Sequence, residues 1–154
     1  MTILEDSRQQ KGKHELKHSI WEAHGVTIDR CALPCGDYAL PPPVAVDTKA
    51  NMAEIAQNIG GSVKEHARFR NELNRAKEDK THLYVLVENT EGIRSIQDVR
   101  SWVNPRLIES PKAITGERLA KAMQTMQRRY GCTFCFCRPE EAAGYIYALL
   151  ERGI

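Results

Sequence analysis

Residues 36–49 read GDYALPPPVAVDTK, in which two short strand-like runs flank three consecutive prolines. We interpret this stretch as a β-hairpin folded symmetrically about the middle proline. In that register Asp37 faces Asp47 across the hairpin, and Lys49 lies on the same face as Asp47 because side chains alternate along a strand. The opposite face is largely apolar and is predicted to pack on the core. The face with the two aspartates is predicted to be small, open and charged.

The two facing carboxylates point to a metal site. Adjacent carboxylates repel each other and are costly to bury unpaired, and a divalent cation removes that conflict. Carboxylate oxygens together with waters suit Mg²⁺ or Mn²⁺. A lysine beside the metal can orient or deprotonate a water, while the metal stabilises charge on a phosphoryl oxygen. The pattern therefore predicts phosphodiester hydrolysis. Spacing alone leaves the alternative open, a solvated hairpin face with an Asp–Lys surface pair.

The segments around the hairpin alternate between strand and helix patterns. Ser62 and Thr115 have N-cap positions before long amphipathic runs that predict helices over 62–80 and 115–129. Residues 83–88, LYVLVE, form a continuous apolar run typical of a strand buried on both faces. The order predicts an α/β class with a central mixed β-sheet flanked by helices.

Composition sets further limits. A hydrophobic share of 42% over 154 residues supports a real core and excludes a disordered tail. The net charge of +2 provides no basic arm for a polyanion, so a nucleic-acid function must rest on a site. No apolar run is long enough for a membrane span and no signal-peptide pattern is visible, which predicts a cytoplasmic protein without a membrane partner.

The five cysteines are an odd number, which argues against a disulfide framework. Cys132, Cys135 and Cys137 invite a zinc interpretation. In a strand, however, Cys132 lies on one face and the other two on the opposite face. We therefore favour buried, apolar-like thiols over a structural zinc site.

The hairpin sequence resembles the GD…(E/D)xK signature of the PD-(D/E)xK nucleases, and more closely the XPF-type structure-specific endonuclease domain. Further segments resemble that family in the same order: ILEDSRQQ at 3–10, AEIAQNI at 53–59, the RF, EL and RA pairs within 68–76, and LYVLVE. The resemblance covers about residues 3–90. It implies a single domain over 1–154 with a restriction-endonuclease-like core and a C-terminal α/β extension over about 91–154. The helix–hairpin–helix domain of the larger relatives has no counterpart here.

The resemblance implies roles for named residues. Asp37 and Asp47 would bind Mg²⁺ or Mn²⁺ together with the Thr48 carbonyl, with Asp6 as a further candidate ligand. Lys49 would position the attacking water. We expect a lysine near a cation and partly removed from water to have a lowered pKa. Arg8, Arg68 and Glu72 would lie at the rim of the site or contact DNA.

The resemblance also implies the substrate. It indicates a metal-dependent endonuclease that acts on branched or flapped DNA, or on a junction of single and double strands, in replication, repair or recombination. The compact length of the chain is similar to that of phage and prophage members of the family, which implies a location in the cytoplasm of a bacterium or of an infected host. A homodimer is left open. Asp47 stands where the family usually has Glu, and Gln9 replaces an upstream Glu. These departures leave an alternative, a non-catalytic DNA-binding or scaffold protein.

Overall fold

The computed structural model describes residues 1–40 and 44–152, and its strands form one six-stranded sheet. The strands are β1 (Thr2–Asp6), β2 (Thr27–Cys31), β3 (Tyr38–Leu40), β4 (Val44–Lys49), β5 (His82–Glu88) and β6 (Thr133–Cys137). The helices are α1 (Glu15–Ala23), α2 (Met52–Gly60), α3 (Val63–Glu78), α4 (Ile96–Val99), α5 (Gly116–Tyr130) and α6 (Ala142–Arg152). Two short 3-10 helices lie at Pro105–Ile108 and Pro139–Glu141.

The sheet is mixed, as predicted. Its strand order is β2-β1-β3-β4-β5-β6. The pairs β1/β2, β4/β5 and β5/β6 are parallel, whereas β3 is antiparallel to both of its neighbours. Because β4, β5 and β6 run parallel, the C-terminal end of β4, where Lys49 lies, is at the same edge of the sheet as the C-terminal ends of β5 and β6.

Local signals in the sequence account for the helix starts. Ser62 and Thr115 accept hydrogen bonds from the backbone N–H groups three residues on, so they cap α3 and α5 as predicted. The apolar stripe of α3, Phe69, Leu73 and Ala76, is buried against the sheet. None of the helices within 1–40 and 44–152 is long and apolar enough to cross a membrane.

The hairpin register is confirmed over its strand residues. The pairs are Tyr38–Val46, Ala39–Ala45 and Leu40–Val44. The prolines at 41–43, which we interpret as the tip, lie outside the described residues. The ladder ends at Tyr38, and the Asp37 N–H donates to the Val46 carbonyl at 2.8 Å. Asp37 and Tyr38 therefore both lie opposite Val46, as in a β-bulge, and the direct pairing of Asp37 with Asp47 is not formed.

Both faces of the sheet are covered. Helices α2, α3 and α5 pack on the face that carries Ala45, and α1 and α6 pack on the face that carries Tyr38 and Val46. The prediction of an open face beside the aspartates is therefore wrong. Ala45 is 1% exposed and Asp47 is 5% exposed, so neither residue lies on an open face.

The cysteine strand alternates as predicted. Cys132 lies in the core on the α5 side, whereas Cys135 and Cys137 lie in the core on the α6 side. All five cysteines are free thiols. Burial raises the pKa of Cys132 and Cys135 to about 11 and that of Cys137 to about 12. These thiols are packed as small apolar side chains.

Candidate active site

The C-terminal end of β4 carries a buried ion pair. Lys49 Nζ lies 2.9 Å from Asp47 Oδ2, and the two side chains are only 12% and 7% exposed. The same ammonium lies 5.0 Å from the centroid of the Phe69 ring on α3. Lys49 is thus fixed between a carboxylate and an aromatic face, and both stabilise its positive charge.

Asp37 reaches the same place from the bulge. Its Oδ2 accepts hydrogen bonds from the Thr48 N–H at 2.8 Å and from Thr48 Oγ1 at 2.7 Å. The carboxylate is thereby attached to the residue between Asp47 and Lys49. The two aspartates still lie close together, but the hydrogen bonds to Thr48 position Asp37, not the predicted cross-strand pairing.

Gly36 makes this position of Asp37 attainable. Its φ of +75° lies in the left-handed region that favours glycine. A Cβ at this position would come within 3.0 Å of Ala45 Cβ and 3.1 Å of the Val46 carbonyl oxygen. The chain therefore needs glycine both for the backbone turn and for its close approach to β4.

Glu72 on α3 faces the two aspartates. Burial raises the pKa of its carboxyl, Asp37 adds to the rise, and Lys49 and Arg75 oppose it. Glu72 Oε1 is buried and has no hydrogen-bond partner among the described residues. We predicted Glu72 at the rim of the site; its electrostatic partners are the central Lys49 and Asp37 together with Arg75 and Arg8.

The Asp47 carboxyl has a strongly raised pKa. Burial is the main cause, Lys49 opposes it, and the negative charges of Glu72 and Asp37 add to it. Such a carboxyl is stabilised in its charged form by any additional cation. The site thus concentrates negative charge that one lysine does not fully compensate.

The pKa of Lys49 differs from our expectation. Burial lowers it, but Asp47 raises it through charge and hydrogen bonding, and Glu72 and Glu54 raise it further. Together, the surrounding protein groups raise the pKa of Lys49 above its ordinary value. As far as these groups are concerned, the expectation of a lowered pKa is wrong. Lys49 keeps its proton at neutral pH and can donate hydrogen bonds.

Asp6 and Arg8 form the neighbouring wall. The Asp6 N–H donates to the Asp37 carbonyl at 2.8 Å, which links the end of β1 to the bulge. Both carboxylate oxygens of Asp6 accept from Arg8 Nε, at 3.1 and 3.0 Å, and Oδ1 also accepts from the Leu33 N–H at 3.2 Å. Because these oxygens are already engaged, the geometry does not favour the predicted role of Asp6 as a metal ligand.

The remaining predicted residues lie further out. Arg68 is exposed on α3, and no hydrogen bond or ion pair joins it to the site among the described residues. Gln9 has both side-chain amide atoms buried without a hydrogen-bond partner in the described part of the chain. Phe69 was not predicted as a site residue, because its spacing with Leu73 and Ala76 is that of a core stripe. No sequence signal pairs it with Lys49.

The donor atoms present fit a hydrated divalent cation. Within 1–40 and 44–152 no three His, Cys, Asp or Glu side chains are grouped closely enough to hold one metal ion. Two carboxylates, Asp37 and Asp47, are near enough to interact electrostatically, and Asp47 Oδ2 forms an ion pair only with the Lys49 ammonium among the described residues. Mg²⁺ is commonly bound by one or two carboxylates with several waters retained. A small ligand set with uncompensated negative charge is therefore compatible with Mg²⁺ or Mn²⁺.

Comparison with known proteins gives one family match and structural matches that agree with it. The model of the ERCC4 domain family matches residues 6–149. A solved structure of XPF from Aeropyrum pernix has 22% identity and a TM-score of 0.67, covering 97% of this chain and 63% of that one. The same XPF in complex with DNA has 21% identity and a TM-score of 0.67, covering 97% and 62%. No curated protein matches the chain.

These matches confirm the family resemblance and the restriction-endonuclease-like fold. The present chain spans less than two thirds of the length of either XPF structure, 63% and 62%.

Proposed function

The chain belongs to the ERCC4 domain family, and from this membership we propose that it is a divalent-metal-dependent DNA endonuclease. The observation that carries the proposal is the buried Asp47–Lys49 pair with Asp37 attached beside it through Thr48. A buried ion pair is poor evidence for stability alone, since apolar residues of similar size often stabilise a fold as well. Its presence at the end of a central strand, with a third and a fourth charge nearby, supports a catalytic role.

Each residue has a proposed role. Asp37, Asp47 and the Thr48 carbonyl hold Mg²⁺ or Mn²⁺, which when bound activates water and stabilises charge on the phosphoryl group. Lys49 keeps its proton and positions the attacking water by hydrogen bonding. Phe69 restricts the rotamers of Lys49, and Asp6 fixes the backbone of Asp37.

The proposed substrate is branched or flapped DNA, or a junction of single and double strands. Support comes from the family and from the fact that one similar XPF structure is a complex with DNA. Arg8, whose side chain is 61% exposed next to the site, and the exposed Arg68 supply candidate phosphate contacts. Roles in replication, repair or recombination, a cytoplasmic location and a homodimer stay predictions.

A second candidate function is non-catalytic DNA binding. Gln9, in place of an acidic residue, has an unpartnered buried amide, and Asp47 has a shorter reach than the usual Glu. Both features would be tolerated in a protein that keeps the fold without turnover.

Cleavage of a panel of labelled flaps, forks and duplexes separates the two functions. We expect cleavage with Mg²⁺ or Mn²⁺ that EDTA abolishes, loss of cleavage in Asp47→Asn, and a fall of roughly 10²–10⁴-fold in the single-turnover rate of Lys49→Ala. Lys64→Ala, which removes an exposed lysine of α3, serves as the control and should cut at the wild-type rate. DNA binding without any metal-dependent cleavage would instead establish the non-catalytic alternative. Full activity of Lys49→Ala would refute the role of the lysine.

A further inference from the structure

Two adjoining clefts lie among the helices that cover the Ala45 face of the sheet and the segment before α5. The larger, about 520 Å³, lies between α5 and the C-terminal end of α2, with His66 of α3 in its lining. The smaller, about 240 Å³, lies between the C-terminal half of α2 and residues 104–114. Gly60 and Ile114 line both of them, so the two clefts form one groove. We call it the α5 groove.

The α5 groove is positively charged. Arg118, Lys121 and Arg129 line its larger part, and Arg106 and Lys112 line the smaller part. No aspartate or glutamate of the described residues lines either part. In a protein with a net charge of only +2, this is a local concentration of cations.

The cations of α5 have no carboxylate partners. Arg118, Lys121 and Arg129 are exposed, and within 1–40 and 44–152 none of them forms an ion pair. Three such positive charges on one side of a helix repel each other and are stabilised by an external polyanion.

The floor of the groove suits nucleobases. Ile59 and Met126 supply apolar surface, and His66 and Tyr130 supply rings. The Arg129 guanidinium lies 5.7 Å from the centroid of the Tyr130 ring. A cationic groove with aromatic side chains is the usual design of a surface for single-stranded nucleic acid. A cavity of about 520 Å³ is within the usual size range of a site for a small ligand such as one nucleotide.

Helix α3 connects the groove to the candidate active site. His66 lines the groove, and Glu72 faces Asp47. These two residues are separated by about 9 Å along the helix axis, at 1.5 Å per residue. The groove therefore lies near enough to the site for one DNA molecule to contact both.

We propose that the α5 groove binds a single-stranded DNA arm of the substrate, with its phosphates on Arg118 and Lys121 and a base on the apolar floor. This assignment rests on the proposed function for the identity of the strand as a substrate arm. Strand binding in the groove itself can be measured without any cleavage.

The test compares two double variants that lose the same charge. Arg118→Ala/Lys121→Ala alters the groove, and Arg100→Ala/Arg128→Ala removes two exposed arginines that do not line it. Fluorescence anisotropy with labelled oligo(dT) in EDTA gives the affinity at several salt concentrations. Each lost phosphate contact on a single strand reduces the salt slope by about 0.7, which is about fivefold in affinity at 0.1 M salt. We expect the groove variant to bind about 25-fold more weakly, with a slope shallower by about 1.4.

The outcomes are distinct. A loss of oligo(dT) affinity confined to the groove variant supports strand binding in the groove. If the wild-type protein also cuts no DNA, only the proposed function fails. Equal affinities of the two variants, or no binding of oligo(dT) by the wild type, overturn the groove and leave cleavage at the active site unaffected. An equal loss of affinity for a blunt duplex of the same length also overturns it, since the groove would then not select single strands.

Discussion

Replacing Lys49 with methionine should destabilise the protein by leaving Asp47 without a counter-charge. The Asp47 and Lys49 side chains are only 7% and 12% exposed, so water cannot compensate for the loss. Removing one partner of a buried pair costs roughly 3–5 kcal/mol. We expect Lys49→Met to lower the free energy of unfolding by about 3 kcal/mol, at the lower end of that range, because Asp47 with its raised pKa can take up a proton. For a domain of this length the Tm should fall by roughly 6–12 °C.

Asp47→Asn should cost less, about 1–2 kcal/mol. The asparagine carbonyl still accepts a hydrogen bond from Lys49, and the repulsion by Glu72 and Asp37 is removed. The double variant Asp47→Asn/Lys49→Met should be more stable than the sum of the single effects predicts, by about 2 kcal/mol. Urea unfolding of all four proteins in EDTA, followed by tryptophan fluorescence, gives this coupling energy.

The exposed ion pair between Arg94 and Glu141 is the matched control. Its atoms are 2.8 Å apart, but the side chains are 52% and 42% exposed. The same cycle at this pair should give a much smaller coupling energy, because solvent screens exposed charges. A coupling energy for Asp47 and Lys49 no larger than that of the control would refute the argument that burial makes this pair strong.

Two further predictions concern the backbone and the pH dependence. Gly36→Ala should cost about 2 kcal/mol or more and reduce cleavage, because its φ is +75° and its Cβ would crowd Ala45. Gly92→Ala, at φ +78° with open space around it, should cost about 1 kcal/mol and keep full cleavage. Urea unfolding and single-turnover cleavage assays compare the two variants. Equal cleavage rates of Gly36→Ala and Gly92→Ala would contradict the close-approach argument. Burial, followed by the charge of Lys17, lowers the pKa of His14 to about 4 from 6.5. Between those pH values only the unfolded chain binds this proton, so the free energy of unfolding should fall as the pH falls through them. Because His14 is only half-buried, we expect this loss of unfolding free energy to be about 1–2 kcal/mol. It is measured as the difference in pH dependence between the wild type and His14→Gln, and identical pH profiles of the two proteins would exclude a contribution from His14.

Symmetry about the middle proline was sufficient to predict the register of the strand residues of the hairpin, and the buried faces of the sheet are consistent with that register. The bulge at Asp37 was not predicted, although glycine within strand-like sequence often marks a bulge and Gly36 adjoins this one. The small side chains of Ala39 and Ala45 suggested an open face, whereas their size allows helices to pack closely on the sheet. Small residues indicate close packing as readily as exposure.

The contacts that define the site depend on how α3 lies on the sheet. The core stripe of α3 was visible in the sequence, but stripe periodicity does not say which strand residue each side chain meets. Phe69 packs on Lys49, and the Glu72 charge acts on Asp47, only because α3 lies against this part of the sheet. Long-range docking of this kind is set by the whole core, and local patterns carry no direct information about it.

Burial of the thiols makes the protein suitable for specific chemical labelling without engineering. Cys35, Cys132, Cys135 and Cys137 are buried, and burial raises the pKa of Cys35 to about 11, so few of these groups are thiolates at neutral pH. Cys31 is the one cysteine that is partly exposed, and it lies at the end of β2 beside Asp6. A maleimide dye should therefore attach at a single position, one strand away from the residue that braces Asp37. Its fluorescence would report the arrival of DNA at the site in the wild-type chain.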